Sequence, residues 1–389
     1  MHIKHLCLFL GNAYRRSFRP VGYHCLPFFL IASLLVGCHR PNIKAMVNFP
    51  VQDITDVKIT GILAPDLLYQ DINVNSFALI DTFLLSYLVE GPHFVSVYSL
   101  NSGHELGDYC LRGRGPGESI ALTPFFQPGS NADEMYVFDA FHSILQTWDI
   151  PASVATRQDV FHNRIHLNSG RKGPFSLSSL YRLDDHSLLV YDACQFHPFI
   201  LTDIPRYWIF DTATGEITDS IKCFRNVPLK SRKKDWLSCA WMMDHASCLD
   251  NEHKKLFLAM RSFPLTAIID LKSGSAKGFL IKGKPRQNYQ DPFSHYSSAT
   301  SSGQFVYCLY YGGRTEQFVS RTIEEEEKKH NDNCYLYVMD WEGSVRAKYQ
   351  LDNVYHRCQV LNDTLYLTRL SPSGSGLYTL PLMDIIPQE

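Results

Sequence analysis

The chain has 389 residues, with 37 Lys+Arg against 39 Asp+Glu, 45% hydrophobic residues and 13% aromatic residues. That apolar and aromatic content excludes a disordered chain and is enough for a sizeable core. The charge balance argues against a nucleic-acid partner, whose phosphates call for a basic surface.

The first segment carries Lys4, Arg15, Arg16 and Arg19 and no acid, and is followed by an uncharged, mostly apolar run from Leu26 to Val36. This run is too short to cross a bilayer, which takes about 20 residues. Basic, then apolar, then small is the order of a secretory signal peptide. The junction Leu35-Val36-Gly37-Cys38 resembles the bacterial lipobox. That resemblance implies cleavage before Cys38, a diacylated Cys38 thiol and usually an acylated amine, so the partner here is the membrane itself. More than one acyl chain is what stable anchoring requires. The basic region is long and holds its own apolar patch, HLCLFL, which allows a start codon downstream of Met1. The expected division is a signal over 1–37, a tether over 38–49 and a folded domain over 50–389. Losing residues 1–37 removes four basic residues and no acid, which leaves the mature chain with a net charge near −6.

Beyond Cys38 the pattern predicts strand after strand: HFVSVYSL, EMYVFDA, ILQTWDI, SLLVYDA, YWIFDTAT, KLFLAM, TAIIDLKSG, QFVYCLYY, CYLYVMDW and TLYLTRL. Each is short and bounded by Gly, Asp, Asn, Pro or Ser. None keeps a helical period over three turns, so any helices are short and peripheral. One unit recurs as VYSLNSGHEL, QTWDIPASVA, WIFDTATGEI, AIIDLKSGSA and YVMDWEGSVR, at spacings of about 49, 62, 59 and 70 residues, with a degenerate sixth copy at GLYTLPLMD. In each unit Asp or Ser accepts turn hydrogen bonds, Gly supplies positive φ, and two strands turn back on each other. Hairpins at this period predict an all-β, six-bladed β-propeller of about 51 residues per blade. Residues 45–59 are expected to lend one strand to the last blade, closing the ring and removing exposed sheet edges. A pair of β-sandwiches is the rival architecture.

CLRGRGPGES (110–119) raises the question of a phosphate cradle. A phosphate loop ends in Gly-Lys-Ser/Thr and opens a helix, whereas this stretch places Glu118 where the anion would sit. Gly113, Gly115, Pro116, Gly117 and Glu118 read instead as a stiff structural turn from the first blade to the second. The GRGPGE stretch, together with the lipobox and the blade period, resembles the Bacteroidetes six-bladed propeller lipoproteins, also described as TolB-like or NHL-like. The resemblance implies fold and envelope location, and no assigned activity. Surface-exposed lipoproteins of that group typically carry an acidic tract after the lipidated cysteine. The present chain has no acid between Cys38 and Asp53, which implies a periplasm-facing protein.

The remaining constellations are weaker. Eight cysteines follow Cys38, none in metal-like spacing, and Cys239 and Cys248 are close enough in sequence to pair across a hairpin. The run RTIEEEEKKH (321–330) reads as a solvated insertion, and LKSRKKDW (229–236) as a solvated loop or a contact for an acidic partner. Asp192 with His197, and Asp244 with His245, fall near one another, and the two acids read as turn residues. No GxSxG elbow or HExxH pair occurs. The sequence therefore assigns no cofactor, no metal site and no catalytic residue. It reads as a lipid-anchored binding or scaffolding module taking a glycan or protein at the propeller mouth. The alternative is a metal-dependent lactonase-like hydrolase or a polysaccharide lyase on the propeller axis.

Overall fold

A computed structural model describes residues 43–72, 76–115, 117–128, 133–167, 177–192, 206–225, 243–284, 293–314, 334–371 and 374–385. Residues 1–37, read from sequence as a signal, Cys38, Pro116, His197, Cys239 and the charged stretches 229–236 and 321–330 lie outside these residues.

The chain begins with a belt. A four-residue helix, Ile43–Met46, leads to β1 (Val51–Ile54), β2 (Gly61–Leu63) and β3 (Asp66–Gln70). The blades follow in chain order. Blade one holds β4 (Phe77–Ile80), β5 (Phe83–Tyr87), β6 (His93–Ser99) and β7 (Glu105–Leu111). Blade two holds β8 (Leu122–Pro128), β9 (Glu134–Asp139), β10 (Ile144–Asp149) and β11 (Phe161–His166), and blade three holds β12 (Leu177–Arg182), β13 (Ser187–Asp192), β14 (Arg206–Asp211) and β15 (Ile217–Ile221). Blade four is β16 (His245–Asp250), β17 (Lys255–Met260), β18 (Leu265–Asp270) and β19 (Ala276–Ile281). Blade five is β20 (Phe293–Ser302), β21 (Phe305–Arg314), β22 (Tyr335–Asp340) and β23 (Val345–Leu351). Blade six is β24 (Arg357–Leu361), β25 (Thr364–Ser371) and β26 (Gly374–Pro381), completed by β3.

These six antiparallel sheets form the expected six-bladed β-propeller. The second and third strands of each blade are sandwiched between neighbouring blades, so residues such as Leu84, Val137, Leu189, Phe257, Leu309 and Leu365 are wholly buried. The recurring unit is the hairpin from third strand to fourth. In blades three and four Asp211 Oδ1 accepts from Ala213 N and Thr214 N, and Asp270 Oδ1 from Lys272 N and Ser273 N. Those bonds hold both carboxyls below the ordinary value. Gly215 and Gly274 then close the turns at φ 70° and 69°, a left-handed conformation that glycine adopts without strain. In blade two a short helix, Ile150–Thr156, replaces the tight turn, and Asp149 caps it through Ala152 N. The sixth copy of the unit is degenerate because its fourth strand comes from the other end of the chain: β26 pairs with β3.

Ring closure differs from the expectation in where the amino-terminal strands fall. β3, just beyond the 45–59 segment, completes blade six, whereas β1, inside that segment, adds a parallel fifth strand to blade four. β2 does the same for blade five. The stretch from Ile43 to Phe49, read from sequence as the end of a tether, is instead fixed to the ring. Ile43, Met46, Val47 and Phe49 are buried, and Val47 bridges Phe224 next to blade three. Asp56, between β1 and β2, binds Lys284 at 2.8 Å, Lys348 at 2.7 Å and the Tyr337 hydroxyl at 2.8 Å, joining blade four to blade five.

Cys110, Cys223, Cys248, Cys308, Cys334 and Cys358 are buried free thiols, and the Cys239–Cys248 pairing suggested by sequence involves a residue outside the described ones.

Candidate functional site: the axial lumen

The innermost strands enclose a lumen of about 570 Å³ lined from β12, β16, β20 and β24 and from Ser76 and Phe77 of blade one. Their sequences explain its character. LSSLYR, HASCLD and FSHYSSATSS are poor in β-branched aliphatics and rich in hydroxyls. Many of those hydroxyls join one blade to the next. Ser298 Oγ accepts from Cys358 N at 3.1 Å and Thr300 Oγ1 accepts from Val360 N at 3.1 Å, which sets β20 and β24 running in the same direction. Ser247 Oγ lies 3.1 Å from Ser179 Oγ and accepts from the Tyr181 hydroxyl at 2.7 Å. Gln359 closes the circle between the last and first blades: its amide donates to Leu79 O at 2.8 Å and accepts from Leu79 N at 2.9 Å.

A second set of groups is left over for the lumen. Arg357 opens β24, and no ion pair or side-chain hydrogen bond holds its guanidinium among the described residues. Its surface is open to lumen water although protein surrounds it closely, and that burial, then the charge of Arg261, lowers its pKa to about 10 while Asp244 opposes the shift. It therefore stays cationic at neutral pH. Arg261 follows β17, is fixed through its backbone to Asp244 O and His295 N, and reaches Asp244 Oδ2 at 3.1 Å. Towards the other end of the lumen Arg182, the last residue of β12, is engaged with Asp185 and Asp184 O. The Ser178 and Ser297 hydroxyls line the lumen without a hydrogen-bond partner among the described residues.

The histidines of the core are structural. His245 Nδ1–H donates to Met243 O at 2.9 Å, so its Nε2 accepts from the Tyr207 hydroxyl at 2.7 Å. Burial lowers its pKa and raises that of Tyr207, keeping both neutral. His295 lies 3.0 Å from the Tyr310 hydroxyl, and burial together with the nearby Lys284 charge lowers its pKa to about 3. Of the two acids that the sequence singles out beside histidines, Asp192 is buried at the end of β13, and Asp244 is the ion-pair partner of Arg261. Among the described residues no three His, Cys, Asp or Glu side chains converge.

The glycine-rich stretch sits between β7 and β8, at the step from blade one to blade two. Only Gly117 among its described glycines has a positive φ, 81°. Gly113 and Gly115 instead leave room for Glu118, whose carboxylate accepts from Gly115 N at 2.6 Å; a Cβ on Gly113 would lie 1.8 Å from Glu118 Oε2. Arg112 turns back into blade one, donating to His93 O at 2.9 Å and stacking over Phe94 at 3.9 Å. The carboxylate thus takes the amide that an anion would otherwise bind.

Sequence reasoning missed Arg261, Arg357 and Gln359. The only available signal was a charged residue opening a short apolar strand, RCQVL, and that pattern is common at strand ends.

A family model described as TolB-like 6-blade propeller-like matches residues 76–363, from blade one into blade six. A member of the DUF4221 family from Bacteroides vulgatus superposes with a TM-score of 0.52 at 9% identity, over 80% of this chain and 96% of that one. A Bacteroides fragilis protein gives a TM-score of 0.47 at 13% identity, over 82% and 94% of the two chains. No curated protein sequence matches. With six sheets closed by the belt and the family match spanning most of the ring, the chain belongs to the TolB-like 6-blade propeller-like family.

Proposed function

We propose that this propeller is a lipid-anchored binding module of the bacterial envelope, held to the membrane through Cys38, facing the periplasm, with its ligand seat in the axial lumen. The observation that carries the reading is Arg357, a cation without a partner among the described residues, set in a lumen of about 570 Å³. Ligand seats of this kind are concave, within roughly 300–1,000 Å³, and hold a few converging polar groups. The core histidines are already committed as neutral hydrogen-bond partners, which favours binding over acid–base chemistry among the described groups. The anchor rests on the signal-like segment and its Gly37-Cys38 junction.

Native mass spectrometry of the protein extracted from membranes tests the seat. A small ligand should accompany the wild-type chain and be absent from Ser297→Trp, which plugs the lumen. An equal ligand load on the plugged variant would reject the lumen as the seat. Metabolic labelling with a palmitate analogue tests the anchor: Cys38→Ala should abolish labelling and accumulate precursor, and a labelled Cys38→Ala chain would reject it.

A further inference from the structure

The charge pattern of the lumen points to what fills it. Arg261 and Arg357 both line it, and Asp244 is the acid whose charge acts on both arginines. Among the described residues one positive charge is therefore left over at this end. A cation set against a protein wall loses part of its solvation, and its repulsion by a second cation adds to that cost. Among the described residues Arg182 touches Asp185, Arg346 touches Asp340 at 2.6 Å, and Lys284 and Lys348 each touch Asp56, whereas the Arg357 guanidinium touches no carboxylate. Arg357 departs from that pattern on a wall that water reaches. Its planar fork presents paired donors that fit an oxyanion.

The rest of the wall sets the remainder of the ligand. Ser178 and Ser297 offer hydroxyls not already used between blades, and Asn251 lines the same lumen. Such a wall suits a ligand rich in hydroxyls of its own. Resting on the reading of the lumen as a seat, we infer that it binds an acidic sugar unit, with its single negative charge, a carboxylate or a sulfate ester, against Arg357 and its hydroxyls along the serine-lined wall. A single charge balances the one excess cation.

Isothermal titration of the full lipid-anchored chain in detergent tests this with four probes: glucuronate, glucose 6-sulfate, glucose and inorganic sulfate. At least one charged sugar should bind ten-fold or more tightly than both glucose and inorganic sulfate, and the tighter of the two identifies carboxylate or sulfate ester. Arg357→Gln should lose ten-fold or more of that affinity with its thermal unfolding unchanged, and Arg357→Lys should recover part of it. If Arg357→Gln melts early, the Arg357→Lys chain and added salt carry the test, since charge-dependent binding weakens as salt rises. Glucose binding as well as the charged sugars, inorganic sulfate binding as well as either, or no response to any probe would overturn the inference. Ser297→Trp separates the two readings. If it abolishes charge-independent sugar binding, the lumen remains the seat and only the acidic ligand falls. If it leaves sugar binding intact, the seat itself falls.

Discussion

The two halves of the ring are held in different ways. Blades four, five and six each receive a strand from the amino-terminal belt, and Asp56 pins two of them together from outside. Blades one and two are built entirely from consecutive strands, share one buried cluster, and are linked in the chain by the short turn around Glu118. The belted half takes several long-range contacts, such as Asp56 to Lys348 across 292 positions of sequence, while blade one takes such a contact where Gln359 meets Leu79. Closure of the ring is thus an event between distant parts of the chain, and damage to the belt should be felt far more than damage to the turn.

The largest effect expected is from deleting residues 50–70. Blade six loses its outermost strand and the ring its closure, so stability should fall by more than about 4 kcal/mol, beyond ordinary substitutions. Urea unfolding that stays cooperative with a loss under about 1 kcal/mol would show that the belt is dispensable.

Asp56→Ala comes next. It leaves Lys284 and Lys348 facing each other in a largely buried site, a change expected to cost about 2 kcal/mol after allowing for partial exposure. Burial raises the Asp56 pKa, but the bonds from Lys284, Lys348 and Tyr337 outweigh it and hold the carboxyl below its ordinary value. A lowered acid contributes above its unfolded pKa, about 4, and the contribution fades as pH falls through the folded value. The gap between wild type and Asp56→Ala in urea melts should therefore narrow below about pH 4. A gap that widens in acid would contradict the assignment.

His295, in the belted half, gives a pH effect of similar size. Folding keeps it neutral down to about pH 3, whereas an unfolded histidine protonates near 6.5. The unfolded state then binds the extra proton, so stability declines as pH drops through this window, by about 2 kcal/mol between about pH 6.5 and 5. His295→Gln should flatten that slope by about one proton, and an unchanged slope would mean that His295 does not carry it.

The smallest effects belong to the turn. Gly117→Val forces a branched residue to positive φ and should cost about 1–2 kcal/mol. Gly113→Ala should cost about 1 kcal/mol by displacing the Glu118 carboxylate from Gly115 N. Thermal melts in which Gly117→Val equals wild type would mean that the turn has no part in holding blade one to blade two.

The strands legible in the sequence are the second and third of their blades: HFVSVYSL is β6, EMYVFDA and ILQTWDI are β9 and β10, and KLFLAM is β17. Those strands are covered on both faces and therefore read as aliphatic and aromatic runs. The innermost strands were not legible, because serine in FSHYSSATSS lowers the strand signal; its compensation, hydrogen bonds to the next blade, appears only in three dimensions. The belt was misplaced for a related reason. Val51–Ile54 is four residues long and half exposed, and nothing in it selects blade four over blade six. The lumen arginines were invisible because a single charged residue acquires meaning only when the fold leaves it without a counter-charge.

The functional reading stands or falls on whether the unmatched Arg357 holds an acidic ligand on the propeller axis. A crystal structure of the protein soaked with whichever of glucuronate and glucose 6-sulfate binds more tightly addresses this at the atoms concerned. The sugar's carboxylate or sulfate should lie within hydrogen-bonding distance of the Arg357 guanidinium, inside the lumen. An empty lumen at saturating ligand, or a sugar seated on the outer faces of the blades, would contradict it.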